Sequence, residues 1–434
     1  TGPLSAAGST RLTLSQETDD FLDSPGHAGR SFLARVAVPD LASAQDRRPV
    51  KVFLHGFGGS PSSGGSADEF KIFPHDPANT YWYGYSDQLP GGDPDAPGAT
   101  TPPYTMRRVL ALLEWVLDTY PGADPDRVYV IGGSMGGAGA ATLGLLASRH
   151  FASVQATIGQ MVPRNHRPER LAQLSGLWGS PEVNPDDGAG MGCWDRIDLT
   201  RALADEPGAA DQHVHLKHGK DDPTIHFGAV VMPSPLTGRS FYGALQDTHA
   251  GHYAIWDEGG HGSADPRLPA GWWDGGWDPI DDGVTYLRRT LAFPAFSRSS
   301  LDRDPGDGSG NGSVPWSAVS GYAGSVNTPQ DTGWNGEIAG VLNRSLRWDA
   351  TAIVDTIDAF SVPLRVVDGS GGAPPAPGYP TTGDRLDGEL PVLVDVTPRR
   401  VQAFRVRPGE EIGYVFGPDS GVAVAGADGT VTVP

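Results

Sequence analysis

Short apolar runs recur along the first 300 residues, and each is long enough for a strand but too short for a helix. They are rich in β-branched and aromatic residues and are separated by turns that contain glycine, proline or aspartate, which is typical of β-strands. The runs that predict strands lie at 10–14, 32–38, 50–55, 127–131, 154–158, 213–216 and 253–257. Together they predict one large sheet.

Helical patterns lie between several of these runs. Apolar residues recur every three or four positions over 106–117, and Pro121-Gly122 ends the pattern, as expected for an amphipathic helix. A second helix, rich in glycine and alanine, is predicted over 135–148, and a last one around 283–291. Strands that alternate with helices indicate an α/β fold with a doubly wound, mostly parallel sheet.

Two parts of the chain depart from this alternation. Residues 160–211 form a long insert without a clear strand, in which Asp198 is placed to cap a short helix, and long inserts of this kind are usually functional. Residues 301–334 are rich in Gly, Asp, Ser and Pro, which indicates a linker or long loops. The predicted organisation is an α/β domain over 1–300, this linker, and a sandwich-like all-β domain over 335–434, where short β-branched runs alternate with turns.

Composition narrows the classes of protein. The chain has 434 residues with 60 Gly and 39 Pro, but 38 % of them are hydrophobic and 11 are Trp, which is enough apolar surface for a folded core. The net charge of −20 and the lack of a basic cluster argue against nucleic acid or an anionic membrane as partner and favour a neutral or cationic one. No apolar run approaches the about 18 residues of a transmembrane helix.

The single cysteine and the first residue bear on the cellular compartment. Cys193 has no second cysteine to pair with, so neither an intrachain disulfide nor a cysteine-rich zinc site is possible. The sequence begins with Thr1 rather than Met, as expected for a processed chain. We therefore predict a secreted, extracellular protein.

The run GGSMGG at 132–137 matches the pattern G-x-S-x-G. A serine in this pattern is a candidate nucleophile when it lies between a strand and a helix, and Ser134 directly follows one predicted strand and precedes the glycine-rich helix. Glycines are needed on both sides of the serine, because a larger side chain there would collide with that strand and helix. We predict Ser134 as a nucleophile at a helix N-terminus, where free N–H groups favour negative charge. The alternative is a glycine turn that only packs the helix on the sheet.

A serine nucleophile needs a histidine base and a carboxylate that orients it, in the chain order Ser, acid, His. His261 follows the last predicted strand in the glycine loop 259–262, and we predict it as the base. The other candidates are His218, His226, His249 and His252. Asp221 and Asp222 both follow the strand at 213–216. We prefer Asp222 as the acid and leave Asp221 open.

Acyl transfer also needs N–H donors for the oxyanion of the tetrahedral intermediate. The run HGFGGS at 55–60 follows a predicted strand, so the backbone N–H of Phe57 can pair with that of Met135, and we predict these two as the oxyanion hole. Glycine loops also cradle phosphate. This loop, however, lacks both the G-K-[ST] ending and the G-x-G-x-x-G spacing of nucleotide-binding loops.

Aromatic residues flank these motifs on two sides. Trp82 and Tyr83 lie between the glycine loop and the first long helix, and Trp272 and Trp273 follow His261. Aromatic rings near a catalytic site stack on sugar rings or aromatic acyl groups. We predict these four residues as substrate-binding, with loop packing as the alternative.

A group of carboxylates precedes the C-terminal region. Asp302, Asp304 and Asp307 supply oxygen ligands of the kind that calcium takes. The run lacks the spacing of an EF-hand and its glutamate at the twelfth position. A solvated turn and a structural calcium site both stay open, and no other cofactor or metal is predicted.

Four motifs, in their order along the chain, resemble the α/β-hydrolase superfamily. They are HGFGGS at 55–60, DPDRVYVIGGSMGGAGA at 124–140, KHGKDDP at 217–223 and GGHG at 259–262. The nucleophile segment is similar to those of secreted esterases and depolymerases and of prolyl oligopeptidase catalytic domains. The resemblance covers residues 30 to 295, but the chain lacks room for the N-terminal β-propeller of prolyl oligopeptidases. The roles that it implies are nucleophile for Ser134, orienting acid for Asp222, base for His261 and oxyanion donors for Phe57 and Met135.

The predicted function is a secreted serine esterase that hydrolyses carboxylic esters of small molecules, polysaccharides or polyesters through an acyl-enzyme. A serine peptidase of prolyl-oligopeptidase type would use the same three side chains. A non-catalytic protein that binds carbohydrate or another partner on this fold is the other alternative. Such a binding protein has no need for a complete triad.

Overall fold

A large mixed sheet forms the centre of the computed structural model, which describes residues 4–6, 8–262, 264, 286–308, 335–337, 339–366 and 391–434. The strands are β1 (Leu4–Ala6), β2 (Ser9–Glu17), β3 (Ser31–Pro39), β4 (Arg48–Leu54), β5 (Phe70–Phe73), β6 (Ala123–Gly133), β7 (Ser153–Thr157), β8 (His213–Gly219), β9 (Gly251–Asp257), β10 (Phe293–Ser297), β11 (Gly340–Leu342), β12 (Leu346–Trp348), β13 (Val354–Asp355), β14 (Phe360–Ser361), β15 (Leu364–Val366), β16 (Asp395–Arg399), β17 (Glu411–Phe416) and β18 (Asp419–Val424). The order in the large sheet is β1-β2-β3-β5-β4-β6-β7-β8-β9-β11.

The middle of this sheet is parallel and its edges are antiparallel. The strands from β5 through β4, β6, β7 and β8 to β9 run parallel, whereas β1 to β3 and β11 run antiparallel to their neighbours. Parallel neighbours need crossover connections. The doubly wound, mostly parallel sheet predicted from the sequence is confirmed, and each of its seven predicted strands is present.

Helices supply the crossovers between the parallel strands from β5 to β9, whereas β4 and β5 are joined by a loop. The helices are α1 (Tyr104–Thr119), α2 (Met135–Leu146), α3 (Pro168–Trp178), α4 (Cys193–Arg196), α5 (Leu199–Asp205), α6 (Gly228–Val231) and α7 (Phe241–Asp247). As predicted, α1 buries one apolar face, and the side chain of Asp198 caps α5 by accepting from the N–H of Thr200. Within the described part of the chain, no helix is long and apolar enough to cross a membrane.

Glycines let α2 lie close to the sheet. A Cβ at Gly144 would overlap Cγ2 of Val154 on β7, and that branched side chain is fully buried. Gly176 in α3, by contrast, has open space where its Cβ would be. The two glycines therefore form a matched pair, one required by packing and one not.

Replacing Gly144 with alanine is expected to lower the free energy of unfolding by about 2 kcal/mol or more, because the methyl group overpacks the interface between α2 and β7. Gly176→Ala is expected to raise it by about 0.5–1 kcal/mol, because alanine favours a helix over glycine. Urea unfolding of the two variants measures both changes. Equal changes in the two would contradict this packing.

The C-terminal region shares a core with the α/β part. Strand β11 pairs with β9 at the edge of the large sheet, and β10 pairs with β16. Trp348 packs in one apolar cluster with Tyr253 and Ile255 of β9. The small antiparallel pairs are compatible with the predicted all-β region, and its sandwich architecture stays a prediction. The region nevertheless completes the large sheet, so the sheet crosses the predicted boundary at 334.

Two predicted elements are wrong in the residues that the structure describes. Residues 286–291 of the predicted last helix are not helical, because their backbone bonds to the start of β6: the N–H of Arg289 donates to the carbonyl of Asp126, for example. Among the short β-branched runs that predict strands in the all-β region, the one at 401–406 is not a strand either. There the carboxylate of Asp355 accepts from three successive N–H groups, at 402–404, which would otherwise pair with a neighbouring strand.

Several histidines are buried in this core as neutral side chains. His252 donates from Nδ1 to the carbonyl of Ala250 (2.8 Å) and accepts at Nε2 from Nδ2 of Asn343 (3.0 Å). Burial lowers the pKa of His252 and His218 to about 4 and that of His213 and His226 to about 3. A second proton on His252 would break the bond with Asn343.

The protein is therefore expected to lose stability as the pH falls from about 6.5 toward 4. Below pH 6.5 these histidines bind a proton in the unfolded protein but stay neutral in the folded one. Each of them therefore adds about 1.4 kcal/mol per pH unit to the slope of the free energy of unfolding against pH. Urea unfolding between pH 7 and 5 measures the slope. His252→Gln should reduce it by about one histidine's share, while a variant at the partly exposed His27 serves as control. Equal stability at pH 7 and 5 would contradict the prediction.

Candidate active site

Ser134 lies in a sharp turn between β6 and α2. Its backbone has φ 60° and ψ −126°, a strained conformation for a residue other than glycine, and its N–H donates to the carbonyl of Thr157 on β7 (2.9 Å). A Cβ at Gly132 would overlap the carbonyl of Gly136, and one at Gly136 would overlap the carbonyl of Leu54. These close approaches explain the glycines at 132 and 136, whereas a Cβ at Gly133 would meet no atom closer than 4.0 Å.

His261 and Asp222 complete a line of hydrogen bonds that starts at Ser134. Nε2 of His261 lies 2.9 Å from Oγ of Ser134, and Nδ1 lies 2.7 Å from Oδ2 of Asp222. The Asp222 side chain is 1 % exposed and that of His261 27 %. Oδ1 of Asp222 accepts from the N–H groups of Thr224 (2.7 Å) and Ile225 (3.0 Å). This is the arrangement that serine hydrolases use.

The structure also places the alternatives that the sequence left open. Asp221 does not hydrogen-bond to His261, whereas its neighbour Asp222 does. The other candidate histidines bond elsewhere: His218 to the carbonyl of Gly159, His226 to the N–H of Gly228, His249 to Oγ of Ser297 and His252 to the carbonyl of Ala250. Of the two aspartates and five histidines considered, the geometry brings only Asp222 and His261 to Ser134.

The glycine loop after β4 lies beside the serine. A Cβ at Gly56 would lie 3.7 Å from that of Ser134. The N–H of Gly58 donates to Oδ1 of Asn79 (2.6 Å), and that of Gly59 to the carbonyl of Gly56 (3.0 Å). Within the described part of the chain, the N–H groups of Phe57 and Met135 have no such partner. They are the predicted oxyanion donors.

The sequence predicted that Trp82 and Tyr83 bind substrate, but neither residue presents an open ring face. Their exposed fractions are 0 % and 1 %, and Trp82 lies against Gly139 of α2. The indole Nε1 of Trp82 donates to the carbonyl of His55 (3.1 Å), so this residue holds the glycine loop in place. Trp272 and Trp273 lie outside the described residues.

Other residues that support the loop carry no sequence motif. Oδ2 of the buried Asp76 accepts from the N–H of Thr80 (2.7 Å) and of Trp82 (3.3 Å), and the N–H of Asp76 donates to Nε2 of His55 (3.1 Å). Asn79 holds the loop through Gly58. The only available signal was a cluster of turn-forming residues after β5, which does not reveal a contact with a loop twenty residues away.

The insert contributes two arginines, Arg167 and Arg170, close to the glycine loop. The guanidinium of Arg170 in α3 lies 5.4 Å from the ring centroid of Phe57 and 5.8 Å from that of Tyr81. Arg167 directly precedes α3, and burial lowers the pKa of its guanidinium group. Sequence reasoning marked the insert as functional but singled out neither arginine.

The proposed calcium ligands are engaged in other contacts. Oδ1 of Asp302 accepts from the N–H of Asn343 (2.7 Å), and Oδ2 accepts from the side chain of Gln246 (3.1 Å). Oδ1 of Asp304 accepts from the N–H of Gly306 (2.8 Å). Burial raises the pKa of Asp302 to about 6. The described residues contain no group of three or more His, Cys, Asp or Glu arranged to hold a metal. Calcium binding, including the role of Asp307 as a ligand, stays an untested prediction.

The topology and the placement of these side chains define the fold. Ser134 follows the central parallel strand β6 and precedes a helix, Asp222 follows β8, and His261 follows β9. All three lie at the carboxyl ends of parallel strands, in the chain order serine, acid, histidine. The protein has the α/β-hydrolase fold.

No family model and no curated protein matches the sequence, but solved structures do. An S-formylglutathione hydrolase from Agrobacterium tumefaciens is 17 % identical, with a TM-score of 0.41 over 60 % of this chain and 91 % of the other. An acylaminoacyl peptidase from Pyrococcus horikoshii is 15 % identical (TM-score 0.39, 59 % and 38 %), and a ferulic acid esterase 16 % (TM-score 0.38, 59 % and 92 %). These names describe those proteins, and the activity of this chain has to be argued from its own site.

Proposed function

We propose that the protein is a serine hydrolase that cleaves carboxylic esters through an acyl-enzyme. The observation that carries the proposal is the continuous line from Asp222 through His261 to Oγ of Ser134, with hydrogen bonds of 2.7 and 2.9 Å. A partly exposed histidine between a buried carboxylate and a serine is suited to accept and return one proton.

In the acylation step, Nε2 of His261 takes the proton of the Ser134 hydroxyl while Oγ attacks the ester carbonyl. The carboxylate of Asp222 holds Nδ1–H, which fixes the tautomer and stabilises the imidazolium. The resulting oxyanion lies between the N–H groups of Phe57 and Met135. His261 then returns the proton to the leaving alcohol, and the acyl group remains on Ser134. Water, deprotonated by the same histidine, releases the acid and restores the hydroxyl.

The backbone of Ser134 supports a catalytic rather than a binding role. A positive φ at a residue other than glycine costs about 1–3 kcal/mol of stability. This strained conformation is the one that presents Oγ to the histidine. A protein that only binds a carbohydrate or another partner has no use for that strain. The proposal includes secretion and an ester carried by a small molecule, a polysaccharide or a polyester.

A serine peptidase would use the same side chains, so the two activities are distinguished by substrate preference. The test compares 4-nitrophenyl acetate and butyrate, acetylated xylan, and peptide 4-nitroanilides with wild-type protein. We expect the esters to be hydrolysed with kcat/KM at least about a hundredfold above that for the anilides. Faster cleavage of the anilides would contradict the ester assignment and favour the peptidase.

A further inference from the structure

The arginines of the insert fall into two groups. The paired ones are Arg164 with Asp195, Arg196 with Asp187 and Glu206, and Arg201 with Asp205 and Glu206. Arg167 and Arg170, in contrast, form no ion pair with any described residue. Their Nε atoms are buried without a hydrogen-bond partner, and the one side-chain bond of Arg170 goes to the neutral Gln173.

Within the insert of this chain, the two unpaired arginines are the exception. Its net charge is −20, so carboxylates are abundant, and the three other arginines of the insert have all found one. An Nε–H buried without an acceptor costs free energy. Two such groups lie three residues apart at the start of α3, and both belong to arginines without a carboxylate partner.

Arg170 lies beside the glycine loop of the candidate active site. Arg170 lies over Phe57, which is 49 % exposed, and the neighbouring Gly56 approaches Ser134. Arg167 is the residue before α3, and the negative charges of Glu169 and Asp222 act on it without forming an ion pair. The carboxylate of Asp222 is already held by His261 and two N–H groups, so it does not serve as the partner of Arg167.

The two guanidinium groups also act on one another. Partial burial lowers the pKa of Arg167, and the nearby positive charge of Arg170 lowers it further. The two positive charges repel one another, and an anion bound between them would offset this repulsion. A planar guanidinium matches a carboxylate with two parallel N–H donors.

We propose that Arg167 and Arg170 form a subsite for a carboxylate carried by the ester substrate, an inference that rests on the proposed function. The two cations bind the carboxylate and thereby place the ester carbonyl at Ser134. The overall negative charge of the protein repels a polyanion at long range, so this subsite selects substrates with one carboxylate near the ester.

The test compares anionic and neutral esters of matched size. One pair carries the charge in the acyl group, 4-nitrophenyl hydrogen glutarate against 4-nitrophenyl valerate. The other carries it in the leaving group, 4-acetoxybenzoate against its methyl ester. We expect the ratio of kcat/KM, anionic over neutral, to fall about tenfold in Arg167→Gln and in Arg170→Gln for at least one pair. Arg170→Lys, which keeps the charge but not the fork, should give an intermediate ratio.

Arg239→Gln is the matched control, because Arg239 is 65 % exposed and pairs with Asp247. It removes the same charge from an exposed ion pair and should leave both ratios within about twofold. Labelling by a neutral fluorophosphonate at an unchanged rate shows that the Ser134 site of each variant is intact. Ratios that stay unchanged in both arginine variants, for both pairs, would overturn the subsite.

A failure of the proposed function is distinguishable from a failure of the subsite. If the wild type hydrolyses no ester and takes no label, the catalytic proposal fails. Calorimetric titration of Ser134→Ala with glutarate then tests the subsite alone. We expect binding that weakens about tenfold on adding Arg167→Gln and weakens further at high salt. Binding that is absent, or unaffected by Arg167→Gln, would overturn the subsite.

Discussion

Ester hydrolysis by Ser134→Ala is expected to fall about 10⁶-fold in kcat, close to the rate that binding and the oxyanion donors alone sustain. Without Oγ no acyl-enzyme forms, and His261 has no nucleophile to deprotonate. Initial rates with 4-nitrophenyl butyrate measure the loss. The thermal unfolding midpoint should change little, because alanine keeps the same strained backbone.

Ser134→Gly is the matched control for the strained turn. It should be as inactive as the alanine variant but more stable by about 1 kcal/mol, because glycine adopts a positive φ without strain. Residual activity above about one hundredth of wild type in either variant would mean that another side chain is the nucleophile.

Asp222→Asn is expected to lower kcat about 10⁴-fold, because an amide favours the wrong tautomer of His261 and does not stabilise its positive charge. The size and shape of the side chain are kept, so Oδ1 can still accept from the N–H groups of Thr224 and Ile225. Steady-state rates with the same ester measure the effect, and circular dichroism checks the fold.

Asp221→Asn is the control for this variant. Asp221 is also buried and is adjacent in sequence, but it does not bond to His261. Its substitution should change kcat by less than about tenfold in protein that remains folded. An equal loss of activity in Asp221→Asn and Asp222→Asn would contradict the role of Asp222 as the orienting acid.

The elements that could be predicted from the sequence are those set by local pattern. Strands β4 and β6 each contain a mostly apolar run because parallel strands are buried on both faces, and α2 is rich in glycine because it lies close to them. The motif residues around Ser134, Asp222 and His261 follow such strands directly. Their meeting at one edge of the sheet therefore follows from topology.

The residues that escaped prediction depend on contacts distant in sequence. Trp82 and Tyr83 belong to an aromatic run whose letters do not show which rings are buried, and a positive φ at Trp82 turns its ring under the glycine loop. Helix α3 fully buries only Leu174 and Trp178, so its apolar pattern is weak. Strand β5 has four residues and is fixed by pairing with β3 and β4.

The insert shows the same limit for function. Its length predicted a role, but an arginine in a sequence gives no sign of whether a carboxylate faces it. Only the packing of α3 over Phe57 and Tyr81 separates Arg167 and Arg170 from the paired arginines of the same insert.

Mass spectrometry of the protein treated with a fluorophosphonate tests the central claim most directly. Only a serine activated by a base reacts with this reagent at an appreciable rate. We expect one adduct per chain, located on Ser134, and its loss in Ser134→Ala and in a His261→Ala variant. An intact protein that takes no label, or takes it on another residue, would contradict the assignment of Ser134, His261 and Asp222 as a catalytic triad.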